Sequence, residues 1–172
     1  KNMTDDLNDF KSTCGLKLKT YSWPVESPVA VCVYIHGLHD HCGRYDEMAK
    51  SLNQHRFSVY AFDFIGHGKS EGKRAVWDDY EIVVNDIVKF VNMIKENNPW
   101  KDLFVIAKAV GVVLATHAIN KLRESPAGFL AVSPAGKTSQ VYSNTRKTVA
   151  KGLAKFLPNV SVAAIKTEYL FR

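Results

Sequence analysis

Four runs of consecutive apolar residues constrain what this chain can fold into. They are Val29-Ala30-Val31-Cys32-Val33-Tyr34-Ile35, Phe57-Ser58-Val59-Tyr60-Ala61-Phe62, Leu103-Phe104-Val105-Ile106 and Phe129-Leu130-Ala131-Val132-Ser133. Each is short, rich in β-branched or aromatic residues and without the alternation of a strand that has one wet face; the first three read as buried strands and the fourth as one more strand of the same sheet. Between them lie helical patterns. Asp46 to His55 places Met48, Ala49 and Leu52 on one face, and Trp77 to Asn97 places Tyr80, Val83, Val84, Ile87, Val88, Val91 and Ile94 at helical spacing. Gly111 to Arg123 is the third helix. Leu16 to Trp23 alternates as an edge strand closed by Trp23-Pro24 and Ser27-Pro28, and residues 1–12 read as a loose lead-in. Strands alternating with helices predict an α/β fold, a mostly parallel sheet and right-handed crossovers. At 172 residues one domain is expected, and no run of 18 apolar residues offers a helical membrane span.

In an open parallel sheet, ligands sit beyond the carboxyl ends of the strands. Here the turns at those ends carry the chemistry-bearing residues. The first is His36-Gly37-Leu38-His39-Asp40-His41-Cys42-Gly43-Arg44-Tyr45, where Gly37 allows the backbone to turn sharply enough for an N–H to face a substrate oxygen. His36, His39, His41 and Cys42 lie close together as metal ligands would, but they lack the helix or knuckle spacing of a closed metal site. No metal and no cofactor is expected. The second turn is Asp63-Phe64-Ile65-Gly66-His67-Gly68-Lys69-Ser70-Glu71-Gly72. Gly68-Lys69-Ser70 invites comparison with a phosphate-binding loop, but that motif needs Gly where Asp63 stands and a helix starting at Ser70, whereas Glu71-Gly72-Lys73 continues the loop. A nucleotide site is excluded on that ground.

The third turn follows Leu103 to Ile106 and runs Ala107-Lys108-Ala109-Val110-Gly111-Val112-Val113 into a helix. A strand, a tight turn and a helix form the setting in which Gly-x-Ser-x-Gly presents a nucleophile. Here the central position is Ala109, which has no hydroxyl.

Together, His36-Gly37, Gly43-Arg44-Tyr45, Asp63-x-x-Gly66-His67-Gly68-x-Ser70-x-Gly72, the strand–turn–helix at Ala109 and Ser133-Pro134 resemble the monoglyceride lipase and lysophospholipase branch (serine aminopeptidase S33 type) of the α/β-hydrolases. Leu157-Pro158-Asn159-Val160-Ser161 resembles a stretch of that family's cap, so the likeness runs from about Ser22 to about Ser161. The resemblance implies a three-layer α/β-hydrolase fold, of which this chain holds the N-terminal half and the start of the cap. Residues 1–140 would be a partial core and 141–172 a basic amphipathic segment like the beginning of the cap. By the same resemblance Leu38 and Val110 match the two oxyanion-hole amides, and Ala109 matches the nucleophile. His36, Gly37, His39 and Gly111 would line the pocket. His39 stands where the family usually has Gly, which predicts a narrower loop. Ala107, Lys108 and Val112 also depart from the family pattern around the turn, and Gly111 survives from it.

The order of a hydrolase triad in this fold is Ser, then Asp or Glu, then His. After Ala109 there is no Asp, His117 is the single His and lies on the helix directly after the turn, and the acids are Glu124 and Glu168. No Ser-His-Asp set can be assembled from these residues. Cys42 and Ser70 lie on neighbouring turns without an evident base and acid. The expectation is therefore a catalytically inactive relative that acts by binding, as a subunit of a larger assembly. The alternative is a lipid carboxyl-ester hydrolase whose missing parts are supplied beyond this chain.

Three further expectations concern partners and place. The strand at Phe129–Ser133 would be a sheet edge with unpaired N–H and C=O groups, to be covered by a protein partner or a second copy. The net charge of +6 arises in the last third: Val141 to Leu157 carries Arg146, Lys147, Lys151 and Lys155, with Val149, Leu153, Phe156 and Leu157 at helical spacing. That segment would cover the sheet or a partner, with a lipid or anionic membrane surface as the second choice. Nucleic acid is expected only indirectly, within a larger assembly, since no reading module is present. Three cysteines, Cys14, Cys32 and Cys42, in no framework spacing, point to an intracellular, reducing compartment, cytoplasm or an organelle such as the mitochondrion. Lys1 to Asp9 do not have the pattern of a secretory signal.

Overall fold

A computed structural model describes residues 7, 8 and 10–134. Five strands form one sheet: β1 Thr20–Trp23, β2 Ala30–Ile35, β3 Phe57–Phe62, β4 Asp102–Lys108 and β5 Gly128–Val132. Their order is β1-β3-β2-β4-β5; β1 runs antiparallel to β3, and the other pairs are parallel. The helices are α1 Asp46–Gln54, α2 Tyr80–Asn97 and α3 Val110–Ile119, with a 3₁₀ turn at Cys42–Arg44. Among the described residues no helix is long and apolar enough to cross a membrane.

β2 lies at the centre, and all six of its residues are buried. Its period of two sends alternate side chains into two cores. Val31, Val33 and Ile35 join Leu103, Val105 and Ala107 of β4 and the apolar stripes of α2 and α3. Cys32 and Tyr34 join Val59, Ala61, Ile106 and Ala49, with Met48 and Leu52 of α1 packed against them. The result is three layers, as expected. Each large side chain removed from water on these faces contributes roughly 1.5–3 kcal/mol. Cys32 is one of these small core residues, and all three thiols are free.

Several element ends, and the lead-in, differ from the sequence reading. α3 ends at Ile119 and not at Arg123, because the chain leaves it through turns closed by the Lys121 and Leu122 amides on the Ala118 and Ile119 carbonyls. α2 starts at Tyr80 instead of Trp77, because the Asp79 side chain caps it by accepting the Glu81 amide, while the Trp77 indole N–H donates to the Ile65 carbonyl. β4 runs on through Lys108, because pairing with both β2 and β5 carries it past Ile106. β1 begins at Thr20, since the chain before it turns back on itself through an isolated bridge between Lys11 and Lys17. The lead-in is part of the core as far as it is described: Leu7, Phe10 and Leu18 are buried, and the Phe10 ring lies 5.0 Å from Phe90 and 5.4 Å from Phe62. Buried Asp86 of α2 holds that segment by accepting from the Ser12 hydroxyl at 2.7 Å and the Thr13 amide at 2.6 Å. Three apolar residues spaced irregularly along the chain give no periodic signal, so this docking was invisible in the sequence.

β5 pairs on one side only, with β4, and holds the edge of the described sheet. Its apolar side chains stay in solvent: Leu130 is 57% exposed, Phe129 and Val132 38% each. The basic residues Arg146, Lys147, Lys151 and Lys155, and with them the segment 141–172, lie outside the described residues.

Candidate functional site at the carboxyl edge of the sheet

Because β2, β3 and β4 are parallel, the three turns that follow them meet at one edge of the sheet. The turn after β2 starts at His36, which is fully buried. Its Nδ1–H donates to the Gly37 carbonyl at 2.6 Å, and its Nε2 accepts the Phe64 amide at 2.9 Å, an assignment fixed by what the backbone partners can offer. The ring therefore ties the end of β2 to the end of β3. Burial lowers its pKa to about 4, the hydrogen bond to Gly37 opposing, so it stays neutral at ordinary pH. Leu38 and His39 are exposed. His39, in the place of the expected glycine, takes the left-handed backbone itself, with φ 56°.

The turn after β3 is organised by Asp63. Its carboxylate is fully buried and accepts the Cys42 amide at 2.7 Å on Oδ1, and the Lys69 amide at 2.9 Å and the Tyr21 hydroxyl at 3.0 Å on Oδ2. Its carbonyl accepts the Ser70 hydroxyl at 2.6 Å. One side chain thus fastens β1, both turns and the 3₁₀ turn together. Gly68, with φ 50°, lies so close that a Cβ there would meet Oδ2 at 2.0 Å. His67 is 4% exposed; its Nδ1–H donates to the Ile65 carbonyl, and its Nε2 meets no hydrogen-bonding partner among the described residues. Burial lowers its pKa as well.

Buried donor atoms of His36, Cys42 and Asp63 lie within 4.8 Å of one another, a spacing that a metal ion could bridge. Each is committed elsewhere: the Cys42 thiol donates to the Phe62 carbonyl at 3.2 Å, and the imidazole and carboxylate bonds are those above. Burial and the Asp63 charge hold the Cys42 thiol well above its ordinary pKa, the opposite of what a metal ligand or a nucleophile needs. The cluster is a hydrogen-bonded joint of the fold. His39 and His41 take no part in it.

At the turn after β4, Ala109 has φ 51° and ψ −121°, a conformation L-residues avoid. The sharp turn between strand and helix is therefore kept, although the side chain it displays is a methyl. It is fixed from three sides. The Ala109 amide donates to the Val132 carbonyl at 3.0 Å, and its carbonyl accepts the Val112 amide at 3.1 Å. Gly111 lets the helix close on β2: a Cβ there would stand 2.3 Å from the His36 carbonyl oxygen. Gly37 faces Ala109 so closely that a Cβ on it would lie 3.2 Å from the Ala109 Cβ. Leu38 and Val110 directly follow that contact, one on each turn. His36, Gly37, Ala109, Val110 and Gly111 thus lie together at this edge, and Leu38 and His39 are exposed beside them.

The sequence did not reveal what Lys108 does. Its Nζ donates to the Tyr45 hydroxyl at 2.9 Å and lies 3.6 Å from Asp40 Oδ2. The Tyr45 hydroxyl in turn donates to the same carboxylate, and the Tyr45 ring packs on that of Tyr34 with centroids 4.3 Å apart and planes tilted by 42°. Asp40 is held below its usual pKa, against the pull of its own burial, by Tyr45, the His41 amide and Lys108. An acid inside a histidine-rich turn and a lysine at a strand end were the signals available; their pairing spans 68 positions and has no local trace.

The family model described as serine aminopeptidase, S33, matches residues 26–172. Monoglyceride lipase of Rattus norvegicus is 33% identical over 169 residues, covering 97% of this chain and 56% of the relative. A monoglyceride lipase homolog of monkeypox virus is 32% identical over 155 residues, covering 88% of this chain and 55% of the relative. Among solved structures, the monoacylglycerol lipase of Paleococcus ferrophilus superposes with a TM-score of 0.69 at 28% identity, covering 90% of this chain and 58% of that one. The chain spans little more than half the length of the curated relatives it matches.

Proposed function

The chain belongs to the serine aminopeptidase S33 family, as a monoglyceride lipase-like α/β-hydrolase, and we propose that it acts by binding and not by acyl transfer. The observation that carries this reading is the methyl of Ala109 at the point of the strained turn, where an acyl-enzyme needs a hydroxyl or thiol. The neighbouring groups that could substitute are engaged: Ser70 in the Asp63 joint, Cys42 as a buried protonated thiol, His36 with both nitrogens bonded. A fluorophosphonate probe tests it. The unmodified protein should remain unlabelled, and labelling of any serine overturns the reading.

Binding would fall on the surface that β5 exposes. Its chain of apolar residues carries no charge, so a strand from a protein partner or a second copy could extend the sheet. Native mass measurement checks this: a lone monomer in the presence of every candidate partner and at high concentration contradicts it. A lipid or anionic membrane surface for the basic segment around Arg146, Lys147, Lys151 and Lys155 is tested by co-sedimentation with phosphatidylserine vesicles. Three free thiols fit a reducing compartment, and nucleic acid would be met only through a larger assembly.

The second reading, hydrolysis of a lipid carboxyl ester with parts supplied beyond this chain, draws support from the backbone of the turn. Ala109 keeps the strained conformation and Gly111 keeps the close helix–strand contact. Turnover of a monoacylglycerol by the unmodified protein would establish it.

A further inference from the structure

Lys108, Tyr45 and Asp40 join two turns that otherwise share no side-chain hydrogen bond among the described residues. Lys108 ends β4, one residue before Ala109, and Asp40 and Tyr45 belong to the turn after β2, which also carries Gly37 and Leu38. The Asp40 side chain is only 10% exposed, while that of Lys108 is 42% exposed. A carboxylate this far from water needs a cation or several donors to hold its charge. It has Lys108 at 3.6 Å, the Tyr45 hydroxyl and the His41 amide at 2.9 Å; Arg44, at 3.8 Å with its side chain 63% exposed, is the outer partner. The lysine ammonium also lies 5.3 Å above the Tyr45 ring.

We infer that Lys108 is a positioning residue, clamping the turn that carries Gly37 and Leu38 against the strained turn at Ala109 through Asp40 and Tyr45. The geometry supports a clamp over a local contact. Gly37 has no side chain and Leu38 and His39 are exposed, so the middle of the turn has little apolar packing to hold it. Its far end is anchored by Cys42 to Asp63, and its near end by His36 to Phe64. Between those anchors Asp40 is the side chain that reaches β4. The inference is independent of whether the protein hydrolyses esters, because it concerns where the turn is held and not what happens there.

Native-state hydrogen exchange tests it in the full chain, read at the hydrogen-bonded amides of His41 and Cys42. Lys108→Met keeps the stem and removes the charge, and Asp40→Asn removes the carboxylate and keeps the shape. Each should speed exchange at those amides by about tenfold, with amides of β2 and α2 unchanged. The double variant should be slower than the product of the two single effects, because both remove the Lys108–Asp40 ion pair. Exchange that is unchanged in Lys108→Met, or effects that multiply in the double variant, would overturn the inference. Should Asp40→Asn fail to fold, Tyr45→Phe replaces it in the cycle with the same expectation and the same refuting outcome.

Discussion

Replacing Gly111 by alanine probes the one contact on which the geometry of the Ala109 turn depends. The new methyl would stand 2.3 Å from the His36 carbonyl oxygen, 3.0 Å from that of Ile35 and 3.2 Å from the His36 carbonyl carbon. Carbon and oxygen ordinarily approach no closer than about 3.3 Å, so helix or strand must yield by about 1 Å. β2 resists, since it is wholly buried and paired on both sides. Overfilling a well-packed interior costs about 1–3 kcal/mol, and backbone on both sides of the clash places this case at the upper end. Alanine returns about 1 kcal/mol of helix propensity. The net loss is about 2 kcal/mol, equivalent to a fall in Tm of roughly 4–8 °C for a chain of this size. Urea and thermal unfolding of both proteins measure it, with Thr116→Ala, exposed on the same helix, expected within about 0.5 kcal/mol of the parent. A Gly111→Ala protein as stable as its parent would mean that α3 does not meet β2 at this spacing, and the argument for a retained strained turn would fall with it.

Three further outcomes follow from the same geometry. Ala109→Gly should stabilise the protein by about 0.5–1 kcal/mol, because relief of backbone strain of about 1–3 kcal/mol exceeds the entropy cost of glycine; clear destabilisation in urea would show that the turn is relaxed. Ser70→Ala should destabilise by about 1–3 kcal/mol, since the Lys19 amide loses its acceptor at 2.8 Å and the Asp63 carbonyl its donor, and it should leave reactivity toward fluorophosphonate unaltered. Stability should decline as pH falls from about 6.5 toward 4. The folded state depresses the His36 pKa to about 4, so below the unfolded value the unfolded chain binds more protons and is favoured, by up to about 3 kcal/mol. His67 acts in the same direction, while Asp86, whose carboxyl burial raises, acts in the opposite one. Stability rising on acidification through this window, measured by urea unfolding at pH 7 and 4.5, refutes the neutral, buried assignment of His36.

Much of the site was legible because its determinants are local. Gly37, Gly66, Gly68 and Gly111 are backbone requirements, and a glycine next to a buried strand announces a sharp turn whatever surrounds it. Ala109 was legible as an absence for the same reason. What each polar side chain does was not. His36 and Asp63 look like chemistry in the sequence and prove to be structural joints, because their roles depend on amides 28 positions away for His36 and 21 positions away for Asp63. Nor was the left-handed backbone of His39 legible, a state that composition does not encode.

By itself the sequence determined the layering of the protein. The apolar runs of β2, β3 and β4 rest between two cores and the helices with one apolar stripe rest on the outsides, so hydrophobic periodicity settled an α/β sheet with its turns at one edge. The equally apolar run of β5 is exposed among the described residues, because it pairs on one side only. Tertiary structure alone decided how the edge with the turns is held. The carboxylates of buried Asp63 and half-buried Asp40 must each find several donors, and those donors come from β1, β4 and two separate turns. Periodicity is a property of neighbours along the chain, whereas neutralising a buried charge is a property of neighbours in space.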